Sequence, residues 1–174
     1  MKKIVIINGG AGVGKSTFVN ICKKYLKVSE ASTVDLAKKA ASILVGYNNE
    51  KDEITRKMLS DLKIVADNYN NNNMKYLCNR IEEFYKNDAE ILFLYIREPK
   101  DIQYISCKYN VKTLLIKNST VNPINSNIGD ASVENYQYDY EIFNNGIEDF
   151  EKEANNFIDW LNDMEEKWIK KVLH

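Results

Sequence analysis

Apolar residues along this chain fall into two alternating rhythms. Ile4-Val5-Ile6-Ile7, Ile91-Leu92-Phe93-Leu94-Tyr95-Ile96 and Leu114-Leu115-Ile116 are short unbroken runs rich in β-branched and aromatic side chains. Such runs predict strands, and the six-residue run suits a central parallel strand buried on both faces. Between them apolar residues recur at helical spacing. Phe18, Ile21, Cys22, Tyr25 and Leu26 mark a first helix from Lys15 to about Leu26. A weaker strand falls within Lys27 to Val34, and Asp35 precedes a helix with Leu36, Ala40 and Ile43 or Leu44 inward, closed by Gly46. The next helix, about Lys51 to Asn68, carries the stripe Ile54, Met58, Leu59, Leu62, Val65, Ala66 and Tyr69, with Asp52, Arg56, Lys63 and Asp67 opposite. Asn70-Asn71-Asn72-Asn73 reads as a loop, because asparagine competes for backbone hydrogen bonds and favours turns. Helical spacing resumes with Met74, Leu77, Ile81 and Phe84.

After the central run, Pro99 is placed to open a helix through Ile102, Ile105 and Tyr109. Val111 to Lys117 is the next strand, and Asn118 to Asn135 is polar. Tyr138 to Phe143 reads as the last strand, with Tyr136, Tyr138 and Tyr140 alternating onto one face for packing. The last helix begins near Ile147, with the stripe Ile147, Phe150, Ala154, Phe157, Leu161, Met164, Trp168 and Val172. No internal repeat is present. Alternating strands and helices define an α/β chain with a mainly parallel sheet.

Bulk properties narrow the classes. At 174 residues, the length suits one domain, 1–174, with a sizeable core. A charged fraction of 28% and a net charge of −1 argue against a nucleic-acid polymer as partner. Cys22, Cys78 and Cys107 are scattered at no metal-ligand spacing, which suits a reducing compartment. No apolar run approaches a membrane span, and the first strand starts too early for a signal peptide, so a cytoplasmic protein without a membrane partner is expected. The single histidine is His174, which leaves no usable histidine general base.

The chemistry concentrates in Gly9-Gly10-Ala11-Gly12-Val13-Gly14-Lys15-Ser16-Thr17, between the first strand and the first helix. Glycine, four residues, then Gly-Lys-Ser is the P-loop pattern in its strand-loop-helix context. Glycines permit the turn that points successive backbone N–H groups at phosphate oxygens, and the helix start adds its positive dipole end. Lys15 would reach the β- and γ-phosphates, and the Ser16 hydroxyl would ligate Mg²⁺.

The chain resembles P-loop kinases of small phosphorylated molecules, in the deoxynucleoside monophosphate kinase and phosphomevalonate kinase branch. Beyond the P-loop, the resemblance rests on Ser32 to Lys38, Arg56 to Lys63, Arg97-Glu98-Pro99, Asp130 to Glu134 and Tyr138 to Gly146. It implies a three-layer P-loop NTPase fold, a five-stranded sheet of order 2-3-1-4-5, and ATP with Mg²⁺ as cofactors. The acceptor would lie over the strand C-termini, and the adenine near the last strand-helix turn at Asn145 and Gly146. Lys38 matches a family lysine. Two departures stand out. Tyr95 occupies a position where many of these kinases carry aspartate, and no lysine or arginine lies between Asn118 and Glu151, a span with seven acidic residues. Arg56, Arg97 and Lys117 would then have to supply the positive charge.

Outside the P-loop, each candidate has two readings. Arg97 either holds the acceptor phosphate or pairs with Glu98 or Asp101. Arg56 either clamps that phosphate bidentately or pairs with Asp52 one turn away. Asp35 is either a metal- or substrate-orienting carboxylate or a helix N-cap. Arg80 reads as solvated beside Glu82 and Glu83, and Glu98 as a weaker Mg²⁺ candidate. Two function classes follow. One is an ATP-dependent phosphotransferase acting on a small phosphorylated acceptor, first of all a nucleoside or deoxynucleoside monophosphate. In it Lys15, Arg97 and Arg56 are catalytic, and Asp35, Lys38, Arg56 and Arg97 bind the acceptor. The other is a non-catalytic or regulatory ATP-binding protein. A GTPase is disfavoured, since neither Asn-Lys-x-Asp nor Asp-x-x-Gly is found.

Overall fold

The computed structural model describes residues 2–50, 52–121, 133 and 136–172, with side chains as far as Met164. Pro123, Gly129, Asp130 to Ser132, Glu134 and His174, and the side chains of Trp168 and Val172, lie outside the described residues. The elements run β1 (Lys3–Asn8), α1 (Lys15–Cys22), β2 (Val28–Ser32), α2 (Asp35–Val45), α3 (Glu53–Asn70), α4 (Asn72–Lys86), β3 (Ile91–Tyr95), α5 (Pro99–Lys108), β4 (Lys112–Lys117), β5 (Tyr140–Phe143) and α6 (Ile147–Val172).

The five strands form one parallel sheet of order β2-β3-β1-β4-β5, as the resemblance implied. Central β1 and β3 pair in register from Lys3 with Ile91 to Ile7 with Tyr95. Because side chains alternate along a strand, this sheet feeds two cores. Ile4, Ile6, Leu92, Leu94 and Ile96 pack beneath α4 and α5 with Leu77, Ile81, Phe84, Ile102 and Ile105. Val5, Ile7, Ile91 and Phe93 pack on the other face with Phe18, Val19 and Ile21 of α1 and Phe150, Phe157 and Leu161 of α6. This is the three-layer α/β architecture of the P-loop fold, with both faces covered as a parallel sheet requires.

Several expected boundaries and faces shift. Helix α1 ends at Cys22 and not near Leu26, because Lys24 and Tyr25 donate their N–H groups three residues back and tighten the chain into turns. In α2 the inward residues are Ala37 and Ala41, whereas Ile43 is 85% exposed and Leu44 is exposed too. The asparagine loop collapses to Asn71, whose left-handed backbone (φ 56°) alone joins α3 to α4. Asparagine tolerates that conformation better than most residues. The alternation through Tyr136, Tyr138 and Tyr140 breaks because β5 starts only at Tyr140. Tyr136 and Tyr138 pack together on the α4–α5 side, and Tyr140 joins Phe157 and Trp160 on the other.

The largest correction is the facing of α3. Only Leu59 is buried, with Met58 and Leu62 partly covered, while Ile54, Val65 and Tyr69 of the expected stripe stand in solvent. The face expected to be solvated turns inward. The Lys63 side chain is 12% exposed and reaches Asp67 at 3.1 Å, Glu98 at 3.2 Å and Asp101 at 3.8 Å. Buried Asn73 donates its amide to Asp67 Oδ1 and to the Lys63 carbonyl. An ion cluster thus stands beside an apolar seam shortened to Met58, Leu59 and Leu62.

Candidate functional site

The loop Gly9 to Gly14 leaves β1 at the C-terminal edge of the sheet and enters α1 at Lys15. Two glycines are required by contact as well as by dihedral. A Cβ on Gly9 (φ 142°) would sit 2.4 Å from the Ile116 carbonyl oxygen. One on Gly14 (φ 109°) would sit 2.6 Å from Asn144 Nδ2 and 3.0 Å from the Phe150 ring. The first helical hydrogen bond of α1 runs from Phe18 N to Gly14 O, so the Ser16 and Thr17 amides point out of the helix start. Gly10, Ala11 and Gly12 form the outer rim, and Val13 is buried under it. Lys15 Nζ donates to the Gly9 and Gly10 carbonyls at 2.6 Å each, which holds its ammonium over the loop. Ser16 and Thr17 are exposed at the same mouth. Glycine turns, a helix N-terminus, an anchored lysine and exposed hydroxyls are thus gathered at one positively polarised mouth.

Two asparagines brace this loop. Asn8 ends β1 and is fully buried. Its Oδ1 accepts the Gly9 N–H at 2.8 Å, and its Nδ2 donates to Tyr138 Oη at 2.8 Å and to the Arg97 carbonyl at 3.2 Å. Asn144, after β5, donates Nδ2 to the Val13 carbonyl at 2.9 Å, and its Oδ1 accepts the Gly146 N–H at 3.3 Å. Asn145 and Gly146, expected beside the adenine, are exposed in the turn that follows, while their neighbour Asn144 holds the loop. The signal for both asparagines was their place, one at a strand end abutting the first glycine and one closing the last strand.

Across the strand ends stand the acceptor-side candidates. Arg97 is half-buried two residues beyond β3, and its backbone is tied to Asn8. Glu98 and Asp101, its expected partners, engage Lys63 instead. Arg56 is half-buried and follows the same helical line as Leu59, Lys63 and Asp67, the inward face of α3. Its expected partner Asp52 caps α3 by accepting the Thr55 N–H at 2.7 Å, a bond that holds the carboxyl below the usual range. Among the described residues, Arg56 makes no ion pair within 4.0 Å.

Asp35 is neither a cap nor detached. Val34 is the N-cap of α2, while Asp35 Oδ2 accepts the Ser32 N–H at 2.8 Å and the Tyr76 hydroxyl at 3.3 Å, closing the β2–α2 turn. Lys38 is half-buried one turn on. Lys117 is committed to Glu141 at 2.8 Å, and Arg80 to Glu83 at 2.6 Å. In place of the family aspartate, Tyr95 donates its hydroxyl to Glu30 at 2.7 Å, and burial with that bond pushes the phenol well up. A cavity of about 300 Å³ lined by Lys2, Leu26, Asn87 and Glu90 lies at the opposite, N-terminal edge of the sheet and takes no part in this site. Among the described residues no helix is long and apolar enough to cross a membrane, and no cluster of metal-ligating side chains occurs.

No protein-family model and no curated protein sequence matches the chain. Solved structures do. A dephospho-CoA kinase from Campylobacter jejuni aligns over 95% of this chain and 100% of its own, at 16% identity and a TM-score of 0.58. A shikimate kinase from Bacteroides thetaiotaomicron aligns over 92% and 98%, at 11% identity and a TM-score of 0.51. The fold is therefore that of the P-loop kinases.

Proposed function

We propose that the chain is an ATP-dependent phosphotransferase moving the γ-phosphoryl group of ATP to a small phosphorylated acceptor, with a nucleoside or deoxynucleoside monophosphate the first candidate. The observation that carries this reading is the anchored loop, in which Lys15 hangs over a glycine turn opening at a helix N-terminus. The half-buried Arg97 and Arg56 on the acceptor side support it. Phosphoryl transfer asks the protein mainly for positioning and charge. The loop amides and Lys15 hold the β- and γ-phosphates. Mg²⁺, held through the Ser16 hydroxyl, would neutralise phosphate charge when bound. Arg97 and Arg56 orient the acceptor phosphate for in-line attack. That phosphate is already ionised, so no general base is required, in keeping with a chain whose only histidine is His174.

The test is ADP release with a panel of monophosphates, extended to dephospho-CoA and shikimate because similar structures bear those names. A true acceptor accelerates ADP release. Lys15→Ala should abolish turnover, by at least about a hundredfold as expected for losing a transition-state charge contact, without lowering Tm. Ser16→Ala should raise the Mg²⁺ concentration needed for half-maximal rate. A second reading, a non-catalytic ATP-binding protein, draws on the arginine-free acidic span from Asn118 to Glu151. ATP binding without acceptor-dependent ADP release would favour it, and an unchanged Lys15→Ala variant would end both.

A further inference from the structure

We infer that Asn8 is a positioning residue that joins the phosphate loop to the Arg97 turn, with Tyr138 as the second half of the joint. The hydrogen-bonding capacity of the Asn8 amide is engaged by three different segments: Gly9 at the mouth of the loop, Arg97 on the acceptor side, and Tyr138 in the chain returning to β5. Its orientation is unambiguous, because the oxygen must face the Gly9 N–H and the nitrogen must face the Arg97 carbonyl. The Tyr138 hydroxyl accepts from Asn8 and donates onward to the Val133 carbonyl at 2.8 Å. Burial pushes that hydroxyl up to about 12, so it remains a donor at every pH at which the protein would work.

A strand end inside a core needs only an apolar side chain, and β1 supplies four in a row before Asn8. A buried amide is tolerated there because its partners satisfy it, and it then fixes their relative positions. Movement of Gly9 on binding a phosphate is passed to the Arg97 carbonyl through one rigid side chain, so a bound nucleotide sets the arginine for the acceptor. The inference rests on the proposal that Gly9 to Thr17 holds nucleotide phosphates.

Two variants separate this role from simple packing. Asn8→Asp keeps the shape and the oxygen facing Gly9 but loses the donor to Arg97 and Tyr138. Tyr138→Phe keeps the ring against Tyr136 and removes the hydroxyl. The full chain is examined by amide hydrogen exchange with and without a non-hydrolysable ATP analogue and Mg²⁺, alongside calorimetric titration of the analogue. In the wild type the analogue slows exchange across Gly9 to Lys15 and also at Arg97 and Glu98, by about tenfold at the turn. In both variants the analogue binds within about threefold of wild type and protects the loop; in Asn8→Asp, which loses the bond to the Arg97 carbonyl, protection at Arg97 and Glu98 falls below about twofold, the size of a lost buried hydrogen bond, and in Tyr138→Phe, which keeps that bond but frees the amide from its second anchor, it falls partway. Equal protection of the turn in wild type and variants, or none in wild type that binds the analogue, overturns this inference alone. A wild-type chain that binds no analogue overturns the proposed function and the inference together.

Discussion

The two sides of the site are built to different standards. Under the phosphate loop, Phe18 is fully buried between Phe93, Phe150 and Phe157, with ring centroids at 6.2, 5.6 and 5.5 Å. Two asparagines then lock the loop from above. On the proposed acceptor side, α2 and α3 meet through a satellite cluster whose buried members are Ala37, Ala41 and Leu59. Their outer faces leave Ile43, Leu44, Val45, Ile54, Val65 and Tyr69 in solvent. The glycine loop is therefore backed by dense packing, and the α2–α3 arm is held by little apolar area. Under the proposed function, the firm side would take the part common to ATP-using proteins and the thin side the part that differs between acceptors.

Truncation at each side should expose the contrast most strongly. Phe18→Ala removes a fully buried ring and should cost about 3–5 kcal/mol in urea unfolding, with ATP affinity falling alongside. Leu59→Ala removes the largest buried side chain of the satellite cluster and should cost about 2 kcal/mol, the low end for a leucine, because its surroundings can close over the gap. Its main effect should be a raised acceptor KM at unchanged ATP affinity. Equal destabilisation by the two would erase the contrast.

The arginines come next. A bidentate charge-assisted contact to a phosphate is worth about 1.5–3 kcal/mol, or about tenfold to a hundredfold. Arg97→Ala and Arg56→Ala should each lower kcat/KM for the acceptor by at least about tenfold on that scale, with ATP affinity within a few-fold. Lysine should rescue poorly, since a point charge lacks the planar fork. Steady-state kinetics with both substrates varied decides it. If neither substitution alters acceptor use, the thin side is not an acceptor site.

Legibility in the sequence follows the same division. The strand runs around Ile4 and Ile91 were readable because burial on both faces leaves an unbroken apolar signature, the loop through its glycine and lysine spacing, and the buried residues of α4 and of α6 from Phe150 onward through their helical spacing, whereas Ile147, expected to open the α6 stripe, stands 61% exposed. The faces of α2 and α3 were not. With few apolar contacts to satisfy, tertiary ion pairs decide which way α3 points, and Lys63 finds Glu98 and Asp101, 35 and 38 positions away, where no local spacing announces them. Asp35 was expected as an orienting carboxylate or a helix cap, and its acceptance of the Ser32 N–H three residues upstream replaces the expected cap. The Asn144 contact with Val13 was not legible, because it spans 131 positions and no local pattern announces it.

The smallest expected effect tests that ion cluster. Asp101 is held above the ordinary carboxylate value, first by its burial and then by the Glu98 and Asp67 charges, against the pull of Lys63 and Lys100. Lys63 is raised overall, as Glu98, Asp67 and Asp101 outweigh its burial, so it stays charged throughout the acid range. A carboxyl whose folded value is raised binds its proton more tightly in the folded chain. Its contribution to stability is full below the unfolded value, near 3.8, and is lost as pH rises through the raised folded value. The wild type should therefore lose stability through Asp101 as pH climbs from 4 toward neutrality. Asp101→Asn, which cannot titrate, should lack that component. The expected sign is a Tm gap, variant minus wild type, that grows with pH across this window. It should stay under about 4 °C, roughly what 1 kcal/mol is worth in a chain of this size. Thermal unfolding of both proteins in steps from pH 4 to pH 7 measures it. A gap that shrinks with rising pH would mean that the pull of Lys63 outweighs burial, and that the cluster binds α3 to α5 more firmly than its exposed outer face suggests.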